Sequence, residues 1–212
     1  MATRHSSLPE QTPSKAIAWK RGLLESPAKG VKPPKNKRSR PIHWYSRPEL
    51  GDLYGDEVEK APIWRLMANT GMRRAEVMQL RWVDVNLERG HLNVLSTEDE
   101  RTKSGKWREI PLSEAARQSL LLLKSYTGEA EYVLPRMTGA SLSRAFLRDA
   151  KRLGLKGSLH SLRHSYGAHL VMAGVPLRTL QTLMGHASFT TTERYAHIAK
   201  DHLREQAKLV NI

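Results

Sequence analysis

Residues 43–212 of this 212-residue chain are predicted to form a mainly α-helical domain with one small antiparallel β-sheet. Three observations carry the prediction. Apolar residues recur at helical spacing through most of the segment, and Gly or Pro punctuates the runs. A single pair of strand-like runs flanks a polar turn. The length, with 39% hydrophobic residues, suits one domain of ordinary size plus an appendage.

The elements follow in chain order. Residues 1–42 read as a basic, proline-containing arm or linker. Their stretch "SPAKGVKPPKNKRSRP" has too few apolar groups to fold alone, although "SKAIAWKRGLLES" could set Ile17, Leu23 and Leu24 on one face of a short helix. "EVEKAPIWRLMANTG" is a helix that stops near Gly71, a C-terminal cap. "RRAEVMQL" starts the next, and "RWVDVNLERG" leaves it through a turn. "HLNVLST" and "KWREIPL" are strands flanking "EDERTKSG", which makes a hairpin. "SEAARQSLLLLKSY" opens on a serine cap and runs as a helix to about Tyr126. Further helices are predicted near 141–153, 160–173, 177–184, 188–198 and 200–210, with Gly174, Pro176 and "MGHAS" as punctuation. No internal repeat is visible.

Charge narrows the class of partner. Lys plus Arg number 35 against 21 Asp plus Glu, a net +14 with a sequence pI near 10.2. A field of that sign draws polyanions, and nucleic acid is the commonest. Ten Lys/Arg and two Asp/Glu lie in residues 1–42, which leaves only +6 for the rest. The basic run is either a solvated tether or a strip that lies on phosphate, the second being favoured, with Lys35, Lys37, Arg38 and Arg40 as the contacts. The absence of cysteine rules out disulfides and thiolate metal sites and fits a reducing cytosol. No apolar run reaches the length of a membrane span, and "MATRHSSLPEQ" lacks the apolar core of a secretory signal.

Four clusters have chemical potential. "TGMRRAE" sets Arg73 and Arg74 beside Glu76, just after a helix break. "TKSGKW" puts Lys103 and Lys106 on the hairpin turn. "LHSLRHSYGAHL" spaces His160 and Arg163 three apart, on one helix face. "MGHASFTTTERY" has His186 in a loop and Tyr195 nine residues later. Singly, each has a plain explanation: surface ion pair, solvated lysine, satisfied core histidine, tyrosine that buries its ring and leaves its hydroxyl wet. His160 and His164 have part of a zinc-helix spacing, but Ser161 stands where an HExxH motif needs glutamate, and no acidic cluster completes a ligand set; metal is not expected.

Together the clusters suit metal-free phosphodiester chemistry. Two arginine forks neutralise the non-bridging oxygens. A lysine or histidine protonates the leaving 5′ oxygen. A tyrosine forms the covalent intermediate that keeps the bond energy for rejoining, although its ordinary pKa of about 10 calls for cationic neighbours or a base. No cofactor is required.

The stretches "TGMRRAEVMQLRWVDV", "TKSGKWREIPL" and "LHSLRHSYGAHLVMAGVPLRTLQTLMGHASFTTTERYAHIA" resemble, in order and spacing, the catalytic domain of the tyrosine recombinases, the phage-integrase family. The resemblance covers roughly residues 45–205, and the ending "ERYAHIAKDHL" is similar to that of temperate-phage integrases. It implies the tyrosine recombinase catalytic-domain fold. It further implies that Arg73 and Arg163 clamp the phosphate, that Glu76 orients Arg73, and that Lys103 protonates the leaving 5′ hydroxyl, with Lys106 the competing candidate. His160 becomes the general base, His186 a hydrogen-bonding partner of the scissile phosphate, and Tyr195 the nucleophile of a 3′-phosphotyrosyl link. Arg74, Lys106 and His164 adjoin these as DNA contacts, with no catalytic role implied. Met184 stands where the family's "LGH" box usually has leucine.

The resemblance also implies double-stranded DNA as substrate, a tetramer on two DNA sites, room for accessory DNA-bending proteins, and a cytoplasmic, nucleoid-associated setting. Before residue 45 only the basic arm is found where most members carry a core-binding domain. The chain is expected to be either a truncated fragment or a short member working with little beyond a catalytic domain. Two other readings stand beside a site-specific recombinase: a DNA-binding remnant without turnover, and a type IB topoisomerase, which the phage-type ending disfavours. The C-terminal "KDHLREQAKLVNI" docks either on a neighbouring subunit or on its own domain.

Overall fold

A computed structural model of the chain describes residues 42–55, 57–96, 106–135 and 137–208. The fold is mainly helical with one small antiparallel sheet, as predicted. Residues 1–41 lie outside the described part, and with them the short helix and the arm expected there.

Helix α1 (Arg47–Leu53) was not foreseen from the pattern. It begins at a capping box, in which Ser46 and Glu49 satisfy each other's exposed backbone N–H groups. Helix α2 (Ala61–Thr70) is the central element, with Ile63, Trp64, Leu66, Met67 and Thr70 all buried. It packs against α4 (Glu114–Thr127) and α6 (Leu159–Met172). Trp64 meets the edge of Phe146 from α5 (Gly139–Arg152), and its indole N–H bonds Asp149 at 2.9 Å, so the largest core side chain is also satisfied as a donor.

Helix α3 (Arg74–Gln79) leads through a turn at Trp82–Asp84 into the sheet. The sheet has three strands, β1 (Val85–Asn86), β2 (His91–Ser96) and β3 (Lys106–Pro111), in the order β1-β2-β3, where the sequence predicted only the β2–β3 hairpin. Two residues are too few to leave a readable alternation, which is why β1 escaped prediction. Register pairs Leu95 with Trp107 and Leu92 with Ile110. The strand period sends Leu92, Val94, Arg108 and Ile110 inward and leaves Trp107 56% exposed.

Helices α7 (Leu177–Met184), α8 (Phe189–Glu193) and α9 (Ala196–Ala207) complete the domain. The C-terminal half of α6, α7, Tyr195 and the start of α9 form a second, smaller core of Ala168, Val171, Leu180, Met184, Tyr195 and Ile198. The predicted helix over 188–198 is broken. An i→i+3 bond from the Tyr195 N–H to the Thr192 carbonyl tightens the chain there, and α9 starts afresh at Ala196. The break falls on Tyr195 itself. Among the described residues no helix is long and apolar enough to cross a membrane.

Gly71 ends α2 in the left-handed region at φ 63°, and a Cβ there would stand 2.4 Å from the Tyr166 ring. Gly71→Ala is therefore expected to destabilise the domain by about 1–3 kcal/mol, through strain and a collision that only a shift of Tyr166 relieves. A fall in the urea midpoint at unchanged m-value checks this.

Candidate active site

Helix α6 is the spine of the site. His160, Arg163, His164 and Gly167 follow the i, i+3, i+4, i+7 spacing and so lie in one stripe along it. The guanidinium of Arg163 is buried, with one Nη donating to the Gly71 carbonyl and the other to that of Met184 at 2.7 Å. Burial and the nearby charges of Arg73 and Arg108, partly offset by Glu76 and Tyr195, lower its pKa to about 10, so it stays charged at neutral pH.

Arg73 sits immediately before α3. Its backbone N–H donates to Glu76 Oε2, its Nη1 to Glu76 Oε1, and its Nη2 to the Gly185 carbonyl, each at 2.7 Å. Glu76 also accepts a two-pronged bond from Arg108, at 2.9 and 2.8 Å, while the Arg108 Nε donates to the Leu183 carbonyl at 3.0 Å. Burial alone would raise the Glu76 carboxyl. Hydrogen bonds and charge from Arg108, then Arg73, outweigh it and hold the carboxyl at about 2. The arginines thus share one buried counter-ion.

Three consecutive carbonyls at the C-terminal end of α7 each receive a different arginine: Leu183 from Arg108, Met184 from Arg163, Gly185 from Arg73. A helix C-terminus carries partial negative charge and unpaired carbonyls, so three guanidinium groups satisfy it in both respects. Arg108 was missed from the sequence. The signal was available, because strand alternation in "KWREIP" puts Arg108 on the same face as buried Ile110, and a buried arginine needs an acid partner.

His186 follows Gly185, and its Nδ1 lies 2.8 Å from the Thr192 hydroxyl. Burial, then the charges of Arg163 and Arg73, lowers its pKa to about 3, so it is neutral at physiological pH. His160 is exposed at the start of α6, and desolvation and the charge of Arg163 lower its pKa as well. Arg74 is exposed and donates to the Ser143 hydroxyl at 3.2 Å. A cleft of about 430 Å³ is lined by Arg73, Arg74, Ser143, His160 and Arg163. A larger cleft of about 590 Å³, at Tyr54, Arg65 and Tyr126, contains none of the predicted residues.

Tyr195 is only 1% exposed. Its ring closes on Gly167, where a Cβ would come within 2.6 Å of it, and its hydroxyl lies 2.9 Å from His164 Nδ1. Burial pushes its pKa up to about 12 against the opposing charges of Arg163 and Arg194. His164, expected as a DNA contact, is thus found on the hydroxyl. Lys103, Lys35, Lys37, Arg38 and Arg40 lie outside the described residues. Lys106 opens β3 opposite Ser96.

Glu76→Gln is expected to cost about 3–5 kcal/mol, because it leaves buried guanidinium charge without its counter-ion. In the unsubstituted protein the depressed carboxyl contributes stability that is complete above the unfolded value of about 4.3. That stability is lost as pH falls toward about 2. Denaturation at pH 7 and across pH 5 to 2 measures both, and the acid dependence should weaken in the variant.

Residues 54–202 match the phage integrase family. Tyrosine recombinase XerD of Staphylococcus epidermidis is 35% identical over 156 residues, 66% of this chain and 50% of that protein. In fold, the chain is similar to the crystal structure of XerA recombinase, with TM-score 0.69 and 24% identity over 93% of this chain and 75% of that one. It is also similar to the transposon Tn1549 integrase in complex with circular intermediate DNA, with TM-score 0.64 and 23% identity over 81% and 68%. The chain spans about half the length of the first curated relatives it matches. With well over half of its residues in the family match, this chain belongs to the phage integrase family.

Proposed function

We propose that the chain is a site-specific DNA recombinase that breaks and rejoins strands through a 3′-phosphotyrosyl intermediate at Tyr195. The observation that carries this reading is the convergence of Arg73 and Arg163 on one end of α7, beside a helix whose next turns hold the Tyr195 hydroxyl. Two fixed guanidinium groups favour the transition state of phosphoryl transfer, where charge grows on the non-bridging oxygens. Lys103, or Lys106, supplies the proton for the leaving 5′ oxygen, and His186 donates to the phosphate. By the family resemblance His160 serves as base.

The partner is double-stranded DNA, consistent with the net charge of +14 and with the DNA complexes of similar folds. The cycle needs four subunits on two sites, since each supplies one Tyr195; Leu203, 65% exposed on α9, is an apolar group available for assembly. Accessory DNA-bending proteins and a cytoplasmic, nucleoid-associated location belong to the same reading.

The test begins with a pool of randomised nicked duplexes, from which covalently captured DNA is sequenced to define the substrate. Wild-type protein should form the adduct without added metal and Tyr195→Phe should not; a wild type that captures nothing overturns the reading. Arg163→Ala should lose cleavage by about 100-fold or more with a much smaller loss of binding, as expected of a group acting mainly in the transition state. Binding should weaken steeply with salt. Removing residues 1–42 should flatten that slope by about 0.9 per phosphate released, if Lys35, Lys37, Arg38 and Arg40 lie on the backbone.

A further inference from the structure

A group that the family resemblance leaves without a catalytic role stands at the nucleophile. The Tyr195 hydroxyl has His164 Nδ1 at 2.9 Å, and that is its hydrogen bond among the described residues. His160 lies one turn nearer the start of α6 and meets the His164 ring edge to face, with centroids 4.6 Å apart. His164 therefore stands between His160 and the hydroxyl. Gly167 and Met184 seat the tyrosine ring so that its oxygen points back along the helix to that imidazole.

We propose that His164, rather than the His160 to which the family resemblance gives the role of base, takes the proton of Tyr195 during strand cleavage and returns it during rejoining. The proposal rests on the reading of Tyr195 as nucleophile. A neutral imidazole with its proton on Nε2 offers the Nδ1 lone pair to a phenolic O–H. As Tyr195 Oη bonds to phosphorus, its proton passes to Nδ1. The bond from phosphorus to the 5′ oxygen breaks, and that oxygen takes its proton from the general acid. In rejoining, the 5′ hydroxyl attacks phosphorus, the tyrosine oxygen leaves, and the His164 imidazolium protonates it. Nothing is oxidised or reduced.

The electrostatics agree with the geometry. Desolvation, then the charges of His160, Arg194, Arg163 and His43, lowers His164 to about 4, so the imidazole is neutral at neutral pH. Tyr195, raised to about 12, would by itself be ionised to about one part in 10⁵ at pH 7, so it needs a base in contact. An arriving phosphodiester offsets the guanidinium field and makes the imidazole more basic when the proton has to move.

Two measurements test this. In the DNA-free wild-type protein, ¹⁵N NMR of the imidazole at pH 7 should find His164 Nδ1 unprotonated and hydrogen-bonded. A protonated Nδ1 overturns the proposal, because that nitrogen would be donating to the tyrosine. On a duplex captured by wild type, the scissile 5′ oxygen is then replaced by sulfur, a leaving group that needs no proton. His164→Ala should slow adduct formation by about 100-fold or more on both substrates. Added imidazole should restore much of the lost rate, while His164→Asn stays slow at unchanged DNA affinity. Rates within about threefold of wild type, or rescue of His164→Ala by sulfur alone, would place the histidine in packing or on the leaving-group side and overturn the proposal. A wild type that forms no adduct sinks the nucleophile reading, while the NMR result bears on the His164–Tyr195 bond independently.

Discussion

One buried carboxylate sets the geometry of the arginine cluster in this domain. Glu76, with no exposed side-chain surface, binds the backbone and the fork of Arg73 and, through both oxygens, the fork of Arg108. An unpaired carboxylate at such a position would cost several kcal/mol, and so would an unpaired guanidinium. Neither partner can therefore relax without exposing the other, and α3, β3 and the end of α7 are held together by charge as well as by packing.

The end of α7 passes this constraint onward. Its last carbonyls belong to Leu183, Met184 and Gly185, and each is bound by an arginine from a different element. Arg163 also reaches the Gly71 carbonyl at the close of α2, so the two helix ends face a common cation. Such bonds fix a guanidinium before any ligand arrives, and that preorganisation is what stabilises charge developing in a transition state. His186 follows directly on this anchored turn and is placed by it.

Tyr195 is governed by a different set of forces. Its ring belongs to the smaller core with Met184 and Ile198, and the helix break places it at a joint rather than within a continuous helix. The packing that buries the ring also aims the hydroxyl, since Gly167 leaves room for it one helical turn beyond His164. A tyrosine in an amphipathic segment usually leaves its hydroxyl wet. Here the hydroxyl is held by an imidazole kept neutral by its surroundings.

The sequence by itself determined the fold class, the hairpin and most helices, because period and punctuation are local properties of the chain. It also placed His160, Arg163 and His164 on one face of α6, since their spacing admits no other arrangement in a helix. Strand β1 was too short to leave a pattern, whereas Ser46 and Glu49 at capping-box spacing mark the start of α1 in the sequence itself. Two features depended on contacts between residues far apart in the chain: the Arg108–Glu76 pair and the tripod of arginines on α7. A buried charge finds its partner only when strands and helices have packed, and the local pattern of "TTERYAHI" reads as one helix. That is why the tertiary structure, rather than the motif, decided that His164 is the residue on the Tyr195 hydroxyl.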